Sequence, residues 1–341
     1  MTASLHNHAG RRLGDDGLIE LLASGQLAGC TELALWDNRI GDRGAEALAR
    51  CEDLAGLRVL DLGWNQIGPE GARALAGSGT LARLERLNLY HNDILDEGVA
   101  ALAGSAHLQP ADLNLCRNCV GVEGALALRA SPAMRRLRRL ACGCNDLGDE
   151  GVAALAGLTQ VEFLNVRMNG IGPRGAEALA ARRADAPLRS LGIEDNPLGD
   201  DGLCALAASG LLAAAEVANL LSVEITADGL RRAAAYPRRT PGRLRLGLNA
   251  LGDVGIEALL SGPALAGLVE LSLPCNDIGP RGAHALAASP LLRGLARLDL
   301  VGNDLGSAGR AALADSAYLA PGALHIEAAP GDPDELPGRT G

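Results

Sequence analysis

The chain has 341 residues, of which 48% are hydrophobic but only 2% aromatic, and its formal net charge is −10. This balance does not favour nonspecific binding to nucleic acid or to a membrane surface, because both need a basic excess. All 31 basic residues are arginine. A Walker-type phosphate loop and a lysine Schiff base are therefore excluded, because both require lysine. Eight cysteines are too few for a disulfide scaffold and indicate a reducing, cytoplasmic setting.

The chain opens with MTASLHNHAGRRLGDDG (1–17), which contains no apolar stretch of signal-peptide length. No later stretch of about 18 uncharged apolar residues predicts a membrane span. His6 and His8 form an H-x-H pair, but two histidines without further ligands predict a solvated tail better than a metal site. The segment 13–17 matches the second half of the repeat described next. Residues 1–29 are therefore predicted to form an N-terminal half repeat and cap.

From residue 30 onward one pattern recurs, as in LRVLDLGWNQIGPEGARALA (57–76). Each unit contains an asparagine, which we call the anchor, and successive anchors lie 24 to 27 residues apart. The anchors are Asn38, Asn65, Asn92, Asn118, Asn145, Asn169, Asn196, Asn249, Asn276 and Asn303, with Val223 in the anchor position of the eighth unit. Such a regular spacing predicts a repeat architecture.

Each unit reads L-x-L-x-x-N-x-[IL]-G-x-x-G-A-x-x-L. The alternation in Leu60-Asp61-Leu62 predicts a short strand with the leucines inward and the aspartate outward. The anchor ends the strand, where its amide can bond backbone groups that turn away from the ladder. An Asp or a Pro then opens a helix, as at Asp42 and Pro69, because Asp can cap a helix and Pro fits its first turn.

One glycine column runs through all eleven units. Glycine inside a helix costs about 1 kcal/mol relative to alanine, so the column indicates backbone too close for a Cβ. We expect Gly151→Val to destabilise the fold far more than Glu150→Gln. The column comprises Gly44, Gly71, Gly98, Gly124, Gly151, Gly175, Gly202, Gly229, Gly255, Gly282 and Gly309.

These residues resemble the ribonuclease-inhibitor-like class of leucine-rich repeats over roughly residues 12 to 326. The resemblance implies an α/β horseshoe solenoid of about eleven strand–helix units, with a parallel concave sheet and convex helices. Residues 30–326 are predicted to form this solenoid as one continuous body, with 324–326 as a last strand. The acidic, Pro- and Gly-rich tail 327–341 is predicted to be disordered.

The candidates for chemistry are few. Cys116, Cys119, Cys142 and Cys144 have spacings typical of a zinc site, but Cys142 takes an inward leucine position while Cys116 and Cys144 point outward. Such thiolates cannot converge on one ion. No nucleophile elbow, H-E-x-x-H motif or dinucleotide fingerprint is present. We expect no catalytic residue, metal or cofactor, and so no enzyme.

The outward positions, those six, four, two and one residues before each anchor, carry a stronger signal. They hold four of the six Trp, Tyr and Phe residues, where exposed aromatics have no structural use but are typical of binding hot spots. If the rings only covered one another, they would be structural. The predicted partner-binding residues are Trp36, Trp64, Tyr90, His91, Arg117, Arg139, Phe163 and Arg167.

Charge does not identify the partner. Acidic and basic residues in the outward positions are nearly balanced, which does not favour a strongly basic partner. The eighth unit is degenerate, and its segment RRAAAYPRRTPGRLR (231–245) carries six arginines, namely Arg231, Arg232, Arg238, Arg239, Arg243 and Arg245. They could dock an anionic partner or be solvated residues of a decayed repeat.

The sequence therefore predicts a non-enzymatic interaction module that binds a protein partner on its concave face, and neither nucleic acid nor membrane. Two alternatives remain open. One is a regulator of a small GTPase, resembling the leucine-rich-repeat GTPase activators. The other is a bacterial effector that acts on a host protein.

Overall fold

The computed structural model describes residues 4–182, 188–236, 242–261 and 267–326. The chain forms two compact units, residues 1–188 and residues 189–341. In the described residues of each unit, short strands alternate with helices, and strands that follow one another in the chain are hydrogen-bonded neighbours in a parallel sheet.

In the first unit the strands are β1 (Leu5–Asn7), β2 (Glu32–Ala34), β3 (Val59–Asp61), β4 (Arg86–Asn88), β5 (Asp112–Asn114), β6 (Arg139–Ala141) and β7 (Phe163–Asn165). The helices are α1 (Gly14–Ala23), α2 (Asp42–Arg50), α3 (Pro69–Ala76), α4 (Leu95–Ala103), α5 (Val122–Ala130), α6 (Gly148–Ala156) and α7 (Pro173–Ala180). Short 3-10 helices follow α2 (Glu52–Leu54) and α5 (Ala133–Arg136).

In the second unit the strands are β8 (Ser190–Gly192), β9 (Val217–Asn219), β10 (Arg243–Arg245), β11 (Glu270–Ser272), β12 (Arg297–Asp299) and β13 (Leu324–His325). The helices are α8 (Gly199–Ser209), α9 (Leu211–Ala214), α10 (Ala227–Ala233), α11 (Gly252–Ser261), α12 (Pro280–Ala287) and α13 (Gly306–Ala314). A 3-10 helix, Pro290–Leu292, precedes β12.

The strand register explains the core. Leu60 pairs with Leu33 on one side and Leu87 on the other, and all three are buried. These leucines pack towards the helices, whose own buried residues are glycine, alanine and leucine, as in α2 and α3. The side of the sheet that faces away from the helices is called the open face below. The predicted α/β leucine-rich-repeat solenoid, with strands β2–β12 in the eleven repeat units, is confirmed.

The anchor asparagines form a buried hydrogen-bond ladder, as predicted. The Oδ1 atom of Asn65 accepts hydrogen bonds from the backbone N–H groups of Asn38 (3.1 Å) and Ile40 (2.9 Å) in the preceding repeat. Its Nδ2 group donates to the carbonyls of Leu35 (3.0 Å) and Leu62 (2.9 Å). Each such amide thus forms hydrogen bonds with backbone groups of two successive repeats. These backbone groups are buried, so they need a partner within the protein.

The aspartate that opens a helix caps the next helix rather than its own. Asp42 is the first residue of α2, yet its Oδ1 accepts hydrogen bonds from the N–H groups of Gly68 (2.6 Å) and Gly71 (2.9 Å) at the start of α3. Negative charge at a helix N-terminus is favourable. The same contact is made by Asp15, Asp96, Asp149 and Asp253. This aspartate therefore links successive repeats.

The link gives the glycine column a physical reason. A Cβ on Gly175 would lie 2.7 Å from the Asp149 Oδ1 atom and 2.6 Å from Ile171 Cγ2. What approaches this glycine is a carboxylate from the preceding repeat, and not backbone alone as the sequence suggested. Crowding at Gly151 is milder, because an added Cβ would meet only Leu147 of its own helical turn, at 3.0 Å.

The two ends of the solenoid differ in how well they match expectation. Strand β1 was not predicted, since no anchor precedes Asn38. In β1, His6 pairs with Leu33 of β2. His8 is buried, so the prediction that it lies in a solvated tail was wrong. Burial, followed by Arg11 and His6, lowers the pKa of His8. The predicted last strand is confirmed as β13. The tail 327–341 lies outside the described residues, so its disorder stays a prediction.

The shortest repeat is completed by a buried arginine. Only 24 residues separate Asn145 from Asn169. The guanidinium of Arg182 lies under the connection in that repeat and donates hydrogen bonds to the carbonyls of Ala156 (3.2 Å), Leu158 (3.1 Å), Thr159 (3.2 Å) and Val161 (2.8 Å). Burial lowers the pKa of Arg182. In a full-length repeat the short side chain of Ser78 bonds the Ala49 carbonyl instead.

Candidate functional site

The residue just before each anchor is held in an unusual backbone conformation. Trp64, His91 and Arg117 have φ angles of 53°, 55° and 56°, in the left-handed region that side chains rarely adopt. Asp37 and Met168 share this geometry at 54° and 48°. Because the same turn recurs along the solenoid, it belongs to the repeat itself and is not strain confined to one site.

Four rings from three consecutive repeats meet on the open face of the first unit. We call Trp36, Trp64, Tyr90 and His91 the aromatic cluster. The His91 ring stacks on Trp64 with centroids 4.0 Å apart, and Trp36 meets Trp64 edge-on at 6.3 Å. Tyr90 lies 6.1 Å from Trp64. Neighbouring strands lie only about 4.8 Å apart, which brings these side chains into one surface.

Contact among the rings does not bury them. The exposed fraction is 40% for Trp36 and 43% for Trp64, and Tyr90 and His91 are half-buried. Aromatic pairs contribute about 0.5–1.5 kcal/mol beyond the area they bury, so mutual packing accounts for part of the arrangement. It does not account for two large rings that remain open to solvent.

The eight predicted partner-binding residues fall into two groups. Arg117 is exposed and lies, with the half-buried Arg167, in the same row as the aromatic cluster, at the carboxyl ends of the strands. Arg139 and Phe163 lie at the amino ends of β6 and β7, where the Arg139 guanidinium stands 3.9 Å from the Phe163 ring centre. The rows are separated by roughly four residues of extended chain at about 3.3 Å each. They do not form one patch.

Two glycines belong to the site although sequence reasoning missed them. A Cβ on Gly63 would lie 2.9 Å from Trp36 Cδ1, and one on Gly143 would lie 2.7 Å from Arg167 Cγ. Each glycine occupies the outward position two residues before its anchor. The large side chain at the same position in a neighbouring repeat, Trp36 or Arg167, lies over it. The alternation of large residue and glycine in that column was a readable signal. Met168, 46% exposed next to Arg167, was also missed.

The amino-end row contains a half-buried acid, Asp112. Asp112 lies in register between Arg86 and Arg139. Burial raises the pKa of the Asp112 carboxyl, and the two arginines oppose this shift. The carboxylate is therefore partly desolvated between two positive charges of the protein itself.

The cysteines do not form a metal site. Cys142 is fully buried, as predicted, and burial, followed by the charge of Cys116, raises its pKa well above the ordinary value. Cys116 is buried, and its sulfur accepts a hydrogen bond at 3.1 Å from the N–H of Gly143, which occupies the same outward column. Cys119 is exposed. Within the described ranges, no group of three or more His, Cys, Asp and Glu side chains could hold a metal ion.

The arginine-rich segment is largely paired within the second unit. Arg232 lies 2.7 Å from Asp201, and Arg243 and Arg245 lie 3.6 and 3.5 Å from Glu270. A short helix, α10, with Thr226 as its N-cap, ends within this segment at Ala233. These contacts favour the decayed-repeat interpretation. Arg238 and Arg239 lie outside the described residues.

The comparison with protein families identifies the fold. The profile described as "Leucine Rich repeat" matches residues 31–49, 57–76, 83–103, 135–156, 158–180, 185–207, 243–260, 268–287 and 295–314, more than half of the chain. The chain therefore belongs to the leucine-rich repeat family. The comparison with curated proteins finds no match. No helix in the part of the chain described above is long and apolar enough to cross a membrane.

Solved structures similar to this chain are also leucine-rich repeat proteins. An internalin (inlF) from Listeria monocytogenes is 15% identical with a TM-score of 0.48, and the match covers 93% of this chain and 95% of the internalin. The plant peptide hormone receptor RGFR1 in complex with RGF2 is 15% identical with a TM-score of 0.41, covering 83% of this chain and 45% of the receptor.

The ectodomain of the receptor kinase GASSHO1/SCHENGEN3 from Arabidopsis thaliana, in complex with CASPARIAN STRIP INTEGRITY FACTOR 2, is 17% identical with a TM-score of 0.41. This match covers 83% of the present chain and 37% of the ectodomain. The chain thus spans less than half the length of either plant receptor. Similarity at this level concerns the fold alone.

Proposed function

We propose that this protein is a non-enzymatic interaction module that binds a protein partner on the open face of its first unit, the face assigned to the concave side. The aromatic cluster is the contact surface. The observation that carries the proposal is the exposure of Trp36 and Trp64, at 40% and 43%, on a sheet whose leucines are buried on the other side. Tryptophan, tyrosine and arginine are the residue types most enriched at binding hot spots.

Arg117 and Arg167 extend this surface along the same row, while Arg139 and Phe163 contribute a second contact at the other end of the strands. As further parts of the proposal, the chain is assigned to the ribonuclease-inhibitor-like subclass because each full repeat pairs a strand with a helix, and to a reducing, cytoplasmic setting because cysteine is sparse. The repeat domain keeps its predicted bounds, 30–326.

The test uses Trp64→Gly. Glycine is the residue that best tolerates a φ of 53°, so the change removes the ring without adding backbone strain. Intact protein and variant are used as baits in extract from the source organism, and the affinity of the main co-purifying protein is then measured with purified components. Leu126→Gln, an equally exposed position on α5, is the control.

We expect Trp64→Gly to weaken binding at least about tenfold, which corresponds to 1.4 kcal/mol, while the control binds like wild type. The melting temperature of Trp64→Gly should barely move, because relief of the left-handed strain offsets the lost ring contacts. Unchanged affinity would refute the site. Unfolding of the variant would show that the cluster is structural.

A further inference from the structure

We infer that the partner presents an acidic polypeptide segment, whose carboxylates bind Arg117 and Arg167 and whose apolar side chain contacts the aromatic cluster. This inference rests on the proposed function and specifies its partner. Arg117 and Arg167 on the open face of the first unit differ from the outward-facing arginines of the second unit in their ion pairs.

In the second unit, outward-facing arginines have carboxylates of their own. Arg243 and Arg245 lie within 3.6 Å of Glu270, and Arg297 lies 4.0 Å from Asp299. In the described part of the first unit, neither Arg117 nor Arg167 has a carboxylate oxygen within 4.0 Å. Within the described residues of that unit, their positive charge is therefore not neutralised by a direct ion pair.

The two arginines are well placed for one extended segment. Arg117 follows β5 and Arg167 follows β7, so two strand spacings, roughly 10 Å, separate their backbones. Three residues of extended chain cover about the same distance. Because only alternate residues of an extended chain point to the same side, carboxylates at positions i and i+2 or i and i+4, about 6.6 or 13 Å apart, can reach both guanidinium groups, and the long arginine side chains cover the difference. The next residues of that segment would continue across β4 and β3, where the aromatic cluster lies.

The charges around the aromatic cluster indicate which end of the segment lies there, and they do not favour nucleic acid as the partner. Asp37 directly follows Trp36, and Asp61 is the last residue of β3 in the next repeat. A phosphate backbone that followed the row would pass from the arginines into this acidic end. An acidic stretch that gives way to apolar residues avoids that repulsion. Asp93 and Asp146 are exposed just after two anchors, and neither forms an ion pair with Arg117.

The experiment selects peptides from a displayed library of random dodecapeptides on the full chain. The wild type is compared with Trp64→Gly and with the double variant Arg117→Glu/Arg167→Glu. The matched control is Arg129→Glu/Arg174→Glu, which reverses two exposed arginines in the same two repeats but on α5 and α7. The best synthetic peptide and an oligo(dT) probe are then titrated by fluorescence anisotropy at low and high salt.

We expect the selected peptides to be enriched in Asp and Glu spaced two or four apart, next to an apolar residue. Their affinity should fall at least about tenfold in the arginine double variant, should not change in the control, and should weaken with salt. Peptides that depend on Trp64 but lack acidic residues would overturn this inference and leave the proposed function intact. Tighter binding of oligo(dT) would overturn it in favour of nucleic acid. If no selected peptide depends on Trp64 for binding, both proposals are contradicted.

Discussion

The aspartate–glycine contact between successive repeats makes a quantitative prediction. Gly175→Ala places a Cβ 2.7 Å from the Asp149 Oδ1 atom, which must then leave the N–H groups of Gly172 (2.7 Å) and Gly175 (2.9 Å). Gly151→Ala occupies the same column one repeat earlier, yet its Cβ meets only Leu147. The two substitutions share their chemistry and helix position, and they differ in the carboxylate and in the closer apolar neighbours, Ile171 and Val152, at Gly175.

The magnitudes follow from three contributions. Alanine stabilises a helix interior by up to about 1 kcal/mol relative to glycine in both variants. Gly175→Ala also loses a helix cap, at about 0.5–2 kcal/mol, and overpacks the site, at about 1–3 kcal/mol. We therefore expect Gly175→Ala to lower the free energy of unfolding by roughly 1–3 kcal/mol, and Gly151→Ala to change it by less than about 0.5 kcal/mol.

The assay is urea unfolding monitored by circular dichroism. Midpoints are compared between variants that have the same dependence of unfolding free energy on urea concentration. A double-mutant cycle with Asp149→Ala identifies the cause. Once the carboxylate is absent, Gly175→Ala should cost less than in the wild type, and only the part due to Ile171 and Val152 should remain. Equal midpoints for the two glycine variants, or strict additivity in the cycle, would refute the reasoning.

Three further predictions follow from the buried groups. Arg182→Met should destabilise the protein by roughly 2–4 kcal/mol in thermal or urea unfolding, because four carbonyls lose a charged donor, and a change below about 0.5 kcal/mol would contradict that role. Asn118→Ala should cost at least about 2 kcal/mol by the same measurement, because the ladder loses a buried side-chain amide that accepts from the Ile94 N–H and donates to the carbonyls of Leu89 and Cys116. A thiol reagent at neutral pH should modify exposed Cys119 within the folded protein and Cys142 only on unfolding, and equal rates would contradict the burial of Cys142.

Most of the fold could be predicted from the sequence because every repeat carries the same motif. The spacing of the anchors predicted β2–β12, and the alternation around Asp61 predicted which side of each strand is buried. Strand β1 escaped because His6 and His8 occupy positions held by leucine in most other repeats. The cap of one helix by the aspartate of the preceding repeat also escaped, since a contact across about 26 residues has no local signature.

The site was predictable only in part. Register alone placed Trp36, Trp64, Tyr90 and His91 on the open face, and the structure brings them into contact. Register does not state how far apart two outward columns lie along a strand, so Arg139 and Phe163 were joined to a cluster from which they are separated. The burial of Cys116 was not predicted either, because a residue's column position does not reveal how closely the neighbouring repeats cover it.

The proposed function requires a protein partner to contact the open face of the first unit. Photo-crosslinking tests it directly, with p-benzoylphenylalanine placed at Tyr90 in the aromatic cluster or at Leu126 on α5, which is 42% exposed on the helix side. The partner isolated with the intact chain is added, and covalent adducts are mapped by mass spectrometry. The account predicts an adduct from the Tyr90 position and none from the Leu126 position. Adducts from Leu126 alone would place the interface on the helices and contradict the claim.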